Sequence, residues 1–294
     1  MKRILTAIIS LALVSTLLMT FTSCGSSENK DDEAVVFSTE SAEYTEGAVT
    51  VGKTSEEVLT YFNSLVNGVK ANKPSIYYSI EKNVPNDSLK VTKRGAENED
   101  IDDSFSAINS AVKGVKDLIL QDIKGTSGDI AYGADNTETL FVKGEEWASG
   151  LTDSDIKYAT LKEVGDNYYI TIAFNDLTSA EAQDVLTKAF NLRDKEDILA
   201  SEEFKKTADY LALEDYDVSY SGCTITATVN RLTNELININ YYKAANVTAY
   251  MTAAGTLADY GEVSVIFTLE DKAYFEINWD NGLPTSPVET VEAE

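Results

Sequence analysis

The sequence predicts an α+β fold, a curved antiparallel β-sheet (a C-terminal meander) packed against several amphipathic helices. Three observations carry this. Between residues 223 and 279 five short segments alternate apolar with polar residues, the period of a half-buried strand. Two capping boxes, Thr54-Ser-Glu-Glu57 and Thr178-Ser-Ala-Glu181, each open an apolar stripe of helical period. Helices alternate with hairpins only once before the meander, so there is no βαβ series to build a parallel sheet.

The first helix begins where Thr54 offers its oxygen to an early amide and Glu57 reaches back. Val58, Phe62, Leu65, Val66 and Val69 then form one stripe, which Asn72-Lys73-Pro74 ends. Residues 76–80 fit a short strand, and 84–103 is polar and charged. A second helix is expected from about Asp103, with Phe105, Ile108, Val112, Val115 and Ile119 on one face. Residues 125–150, rich in Gly, Asp and Asn, read as a long loop carrying Leu140, Phe141 and Trp147. Segments 156–163 and 168–175 flank Val164-Gly-Asp-Asn167, a hairpin signal. The helix after Thr178 faces Ala182, Val185, Leu186, Ala189 and Phe190 one way, and 201–211 suggests a further helical segment.

In the meander, Cys223, Ile225, Ala227 and Val229 alternate with threonines, and Asn230 to Asn234 supplies a turn. Ile237, Ile239 and Tyr241 mark the next strand, and Val247, Ala249 and Met251 another. Val263, Val265, Phe267 and Leu269 follow, then Glu270-Asp-Lys272, then a strand with Phe275, Ile277 and Trp279. Four or five strands are expected from this stretch. The residues from 54 to 283 read as a single α+β domain, and 284–294 as a frayed acidic tail. The two helix-then-strand blocks, 54–175 and 178–279, leave weak duplication as an alternative to chance, which is the preferred reading, and no repeat period of 20–50 residues is visible.

Composition removes several kinds of chemistry. The 294 residues contain no histidine, so Ser-His-Asp or Cys-His catalysis and His-ligated zinc are excluded. With 49 acidic against 24 basic residues and a formal charge of −25, the chain is no partner for nucleic acid, which needs clustered Lys and Arg. No G-x-x-x-x-G-K-[ST], G-x-S-x-G or G-x-G-x-x-G occurs. Acids are so frequent that a carboxylate pair carries little information, although Glu145-Glu146-Trp147 sets an aromatic beside two carboxylates, as a sugar site would. A solvated loop anchored by Trp147 is the plainer reading. Calcium needs only oxygen ligands, and Glu97 to Asp103 and Asp153-Ser-Asp155 are the densest clusters, but neither has the spacing of a calcium loop. No catalytic residue, metal or cofactor is therefore assigned. Tyr158, Tyr168, Tyr169, Tyr220, Tyr241, Tyr242, Tyr250 and Tyr274 all fall on expected strands, where tyrosine is an ordinary β-former. The same aromatic and aliphatic load on a concave sheet closed by helices would also suit an apolar ligand.

The N-terminus gives an address. Lys2 and Arg3 precede an apolar run from Ile4 to Phe21, which ends in Phe21-Thr-Ser-Cys-Gly25, the layout of a secretory signal. A cysteine directly after two small residues resembles the lipobox of bacterial lipoproteins, with Phe21 where that pattern usually has Leu. The resemblance implies cleavage between Ser23 and Cys24, a diacylglyceryl group on the Cys24 sulfur, and attachment to the extracytoplasmic face of the cell membrane. Several acyl chains hold a protein to a membrane stably, whereas one does not. A plain secretory signal with a chance cysteine, an uncleaved anchor helix and a buried core helix are the alternatives. Cleavage would remove Lys2 and Arg3 and no acid, taking the formal charge from −25 to −27, so the lipid and not the surface would hold the chain to an anionic membrane. Residues 24–53, with Ser26-Ser-Glu-Asn-Lys-Asp-Asp-Glu33, read as an acidic flexible tether. Cys223 is then the one remaining thiol. It has no disulfide partner, and its strand pattern makes it a small buried hydrophobe.

The text from Cys223 to Leu236, followed by Val247 to Met251 and a final apolar hairpin, resembles uncharacterised lipoproteins of Gram-positive bacteria. Their x-V-D-x-x-T-G-x-L turn stands here as Val229-Asn-Arg-Leu-Thr-Asn-Glu-Leu236, with Asn234 in place of Gly. More loosely, the chain is similar to lipoprotein-carrier half-barrels and mycobacterial glycolipid-binding lipoproteins, which implies an open half-barrel and a lipid-like ligand. The expectation is a non-catalytic lipoprotein that binds an apolar or amphipathic ligand between sheet and helices. The rival is an envelope adhesion module with a filled core that meets protein or glycan through acidic and aromatic surface. An enzyme is the weakest of the three.

Overall fold

A computed structural model describes residues 49–280 apart from 51, 86, 98–107, 111, 114, 115, 117–124 and 206. The expected signal segment 1–23, with Ser23 and Cys24, nearly all of the expected tether and the expected acidic tail lie outside the described residues. In chain order the strands are β1 (Val49–Thr50), β2 (Ser75–Asn83), β3 (Lys90–Lys93), β4 (Gly125–Ile130), β5 (Tyr158–Val164) and β6 (Asn167–Ala173). They continue as β7 (Leu177–Thr178), β8 (Leu211–Tyr220), β9 (Thr224–Asn230), β10 (Glu235–Ala253) and β11 (Glu262–Asn278). The helices are α1 (Ser55–Asn72), α2 (Ser179–Val185), α3 (Lys195–Leu199) and α4 (Glu202–Lys205). Residues 108–110, 112, 113 and 116 are helical too, within the helix expected from Asp103, most of whose other residues are outside the described set. Among the described residues strand outweighs helix, 43% against 25%, so the sheet sets the architecture.

All strands pair antiparallel in one open sheet, in the order β1-β5-β6-β9-β10-β11-β2-β4. Two strands dominate it. The β10–β11 ladder runs unbroken from Asn238 opposite Glu276 to Thr252 opposite Glu262. Each of these strands is long enough to take two neighbours on its other side. β10 pairs β9 along 235–242 and β8 along 245–253, while β11 pairs β2 along 270–278 and β3 along 263–266.

This corrects the expected meander. The segments around Ile239 and Val247 are one strand, and so are those around Val265 and Phe275. The charged run Glu270-Asp-Lys272, expected to divide two strands, stays in the strand because its charges are answered across the ladder. Lys243 Nζ lies 3.3 Å from Asp271 Oδ2, the Tyr242 hydroxyl donates to Glu270 Oε1 at 3.3 Å, and Lys272 Nζ sits over the Tyr242 ring. Neither stretch contains Gly or Pro to force a reversal. The short strand expected at 76–80 is likewise nine residues long, and the expected loop 125–150 opens with β4, which pairs β2. The helical segment expected over 201–211 is only the single turn of α4, followed by strand from Leu211.

α1 forms as its sequence dictates. The Glu57 amide donates to Thr54 Oγ1, and the Thr54 amide donates to Glu57 Oε2 at 2.8 Å. At the other end Lys73 takes the left-handed conformation, φ 51°, and Pro74 prevents continuation. Its apolar stripe, Val58, Leu59, Phe62, Val66 and Val69, is fully buried against inward residues of the sheet, among them Leu161, Ile170, Ile225, Ile239 and Phe275. The flank of α1 is clamped by polar bonds to the loop before β5. Asn63 Nδ2 donates to Leu151 O, Asn67 bridges Ala148 and Ser149, and buried Lys70 donates to the carbonyls of Val142 and Glu145 at 2.6 and 2.8 Å. The loop in turn inserts Phe141 beside Phe190, Tyr241 and Phe275, an aromatic group with ring centroids 4.3–5.9 Å from Phe141.

The β9–β10 turn uses Asn234 at φ 61°, the left-handed region that the Gly of the resembling turn would adopt. Here the side chain adds a bond, accepting from the Tyr61 hydroxyl of α1 at 2.7 Å. Asn234→Ala keeps the strained backbone and loses that bond, so urea unfolding should show a loss of about 1–2 kcal/mol. Asn234→Gly, which relieves the strain, should lose less. Asp155 offers a second test. Burial raises its pKa, but the Lys188 ammonium and the Thr152 hydroxyl and amide outweigh this and hold the carboxyl below its usual value. Its stabilisation is therefore complete above the unfolded value near pH 4 and is lost as pH falls through the lower folded value. Asp155→Asn should lower stability at pH 7 and flatten the acid limb of the stability–pH curve measured by denaturant unfolding.

Candidate functional site

The face of β10 that carries Ile239 and Tyr241 into the core also carries Lys243, Ala245, Val247, Ala249 and Met251, because side chains alternate at period two. The first half of that face is sealed by α1. The second half is not. It floors a cavity of about 580 Å³, within the range of roughly 300–1,000 Å³ typical of small-molecule sites. On β11 the floor continues through Val265, Phe267 and Leu269, and on β8 through Leu213, Tyr216, Val218 and Tyr220. A bulge in the β8–β10 register, between Tyr250 and Met251, leaves Glu214 unpaired, so that Leu213 and Tyr216 face the same side although three residues apart.

The roof comes from the helical segment between β7 and β8. Ala180 and Gln183 of α2, Leu192, Ile198 of α3 and Phe204 of α4 line it, and Val84, Leu89 and Val112 close one side. These apolar walls are held by a second core cluster of Leu89, Val91, Ile108, Val112, Leu211, Met251, Val263 and Val265. Val247, Leu213, Tyr216 and Phe267 are only half-buried, as expected of walls around a space.

Polar groups mark the site's margins. The paired Lys243 and Asp271, whose side chains are 12% and 16% exposed, stand where the sealed core gives way to the cavity, and Lys82 lies opposite Asp271 in the β2–β11 ladder. Lys243 also donates to Asn191 O at 3.2 Å. Lys195 pairs with Asp215 and covers the Tyr216 ring at 5.2 Å, and Arg193 and Lys116 complete the basic lining. Burial pushes the Tyr220 phenol up to about 12 and raises that of Tyr216, so both are neutral donors at pH 7.

The residues singled out from sequence are dispersed. All eight named tyrosines lie on strands, but of these Tyr220 alone lines the cavity; Tyr241 is buried in the aromatic group, and Tyr158 and Tyr169 face outward at 44% and 40% exposure. Glu145, Glu146 and Trp147 sit on an exposed loop away from the cavity lining. Asp155 is occupied by Lys188 and Thr152, Glu97 by Ser264, and 98–103 lies outside the described residues. Among the described residues no group of three or more Cys, Asp or Glu is placed to hold a metal. The strand positions Val247, Ala249, Met251, Val265, Phe267 and Leu269 do converge, on the floor. Missed entirely were β8 and the basic residues. Tyr216, Val218 and Tyr220 alternate with Asp215, Asp217 and Ser219, a strand signal obscured by the acids.

Compared with known proteins, the chain matches no family model, no curated sequence and no solved structure.

Cys223, immediately before β9, is 1% exposed, and burial pushes its thiol pKa up. In a chain carrying Cys24→Ser, a thiol reagent at pH 7–8 should label Cys223 at a rate set by unfolding. Full reaction should follow within the mixing time only in denaturant.

Proposed function

We propose that this chain is a lipid-anchored protein of the extracytoplasmic membrane face, acylated at Cys24, with a curved sheet that closes against its helices around an apolar or amphipathic ligand. It works by holding and not by chemical conversion. The observation that supports this most directly is the second half of the β10–β11 face. An exposed apolar strand face without helix cover is costly in water, and roughly 25 cal/mol is lost for each Å² left wet. Here that face is roofed at a distance and encloses a space, which is how a binding protein differs from a filled sandwich.

A neutral, environment-sensitive dye such as N-phenyl-1-naphthylamine should bind the full chain saturably and with about 1:1 stoichiometry. Ala249→Trp, at the middle of the floor, should abolish that binding while leaving the circular dichroism unchanged. Absence of saturable binding, with no lipid extractable from protein isolated from its own cells, would overturn the ligand reading. Mass spectrometry of the native protein addresses the anchor separately, with an acylated N-terminal Cys24 expected and an unmodified sulfur counting against it.

The second reading, an envelope interaction module, is favoured by the outward face of the same sheet. Exposed Tyr158 and Tyr169 stand beside the Thr224, Thr226 and Thr228 row and exposed Asn240. Tyr158→Ser with Tyr169→Ser should leave dye binding intact; if it abolishes attachment to cell-wall material, this reading gains over the first.

A further inference from the structure

The cavity's charge is opposite to that of the chain around it. Five of the chain's 24 basic residues line it, but only two of its 49 acids, Asp194 and Asp271. The bias is concentrated where floor meets core. Lys82, Asp271 and Lys243 occupy one row across β2, β11 and β10. Lys116 donates to the carbonyl of Val84, two residues on from Lys82, and Lys243 donates to that of Asn191, two residues before Arg193. One carboxylate, Asp271, answers Lys243 directly. On the roof, the Ser201 hydroxyl is buried and has no hydrogen-bond partner among the described residues.

We infer that the ligand is a single-chain amphipath with an anionic head group, carboxylate or phosphate, its chain along the Val247–Phe267 floor and its head at Lys82, Lys116, Arg193 and Lys243. This rests on the proposed ligand-holding role of the cavity. A wholly apolar occupant would strip water from the lining cations and return nothing, whereas an anionic head replaces the lost hydration with charge-assisted hydrogen bonds. A cationic head would add repulsion. The distant acids count for little, because screening at physiological salt acts over about 8 Å. Size selects one chain. At roughly 30 Å³ per water-sized group, 580 Å³ takes on the order of twenty methylene-sized groups.

The test is displacement of N-phenyl-1-naphthylamine from the full chain carrying Cys24→Ser, so that no acyl group of its own competes. Competitors share a sixteen-carbon chain, roughly matched to the cavity, and differ in head: palmitate, hexadecyl phosphate, hexadecanol and hexadecyltrimethylammonium. The two anions should compete about tenfold better than the alcohol, the increment of one charge-assisted hydrogen bond, and the cation worst. Lys82→Gln with Arg193→Gln should weaken competition by the anions more than competition by the alcohol, and so reduce that preference. Preference for palmitate alone, or for the phosphate alone, identifies which anion is taken. Equal competition by alcohol and anions, or an anion preference undiminished in the double variant, overturns the head-group inference while leaving the cavity reading intact. Failure of the dye and of every competitor to bind overturns the cavity reading itself.

Discussion

The unbroken hydrogen-bonded ladder between β10 and β11 is the constraint on which the rest of the structure depends. A strand cannot change the face its alternate residues present unless a bulge intervenes, and along this ladder none does. Once Ile239, Tyr241 and Phe275 are committed to the core under α1, the direction of Val247, Ala249, Val265 and Phe267 is settled as well. One face must then serve two environments, a sealed core at one end and a roofed space at the other. The aromatic group around Phe141 and the Lys243–Asp271 pair mark the passage between them.

Local information sufficed for some elements. α1 was legible from end to end because its capping box, its stripe and its terminating Lys73-Pro74 all lie within the segment itself. β9 and the β5–β6 hairpin were legible for the same reason, their alternation and turns being short-range. The long strands were not, because what keeps Glu270, Asp271 and Lys272 in a strand is Tyr242 and Lys243, far away in sequence. β8 was hidden by its acids and by a bulge that breaks its period. The cavity could be anticipated only as a possibility of sheet and helices. Its lining spans residues 82 to 271 and meets through register alone.

Floor and roof differ in how firmly they are held. The floor is three neighbouring strands of one sheet, β8, β10 and β11, with a single bulge between β8 and β10. The roof includes α3 and α4, five and four residues long, and helices of that length have no independent stability in water. Ile198 and Phe204 line the cavity from above, and the Thr207 hydroxyl donates to Phe204 O at 2.9 Å. Opening the roof breaks few bonds and opening the floor breaks many, so local unfolding will begin above the cavity and leave the sheet intact.

An open sheet has two edges, and one is closed in an unusual way. Among the described residues, β1 covers β5 at Lys162 and Glu163. Farther along, at Ala159, the amide donates to Ser55 Oγ at 3.1 Å and the carbonyl accepts from the same hydroxyl at 3.4 Å. The first residue of α1 thus engages both backbone groups of Ala159, one of the positions at which a foreign strand would pair. Where many copies crowd together, a foreign strand could pair along this stretch only by displacing the Ser55 hydroxyl from Ala159, which shortens the row of free backbone groups that the edge presents.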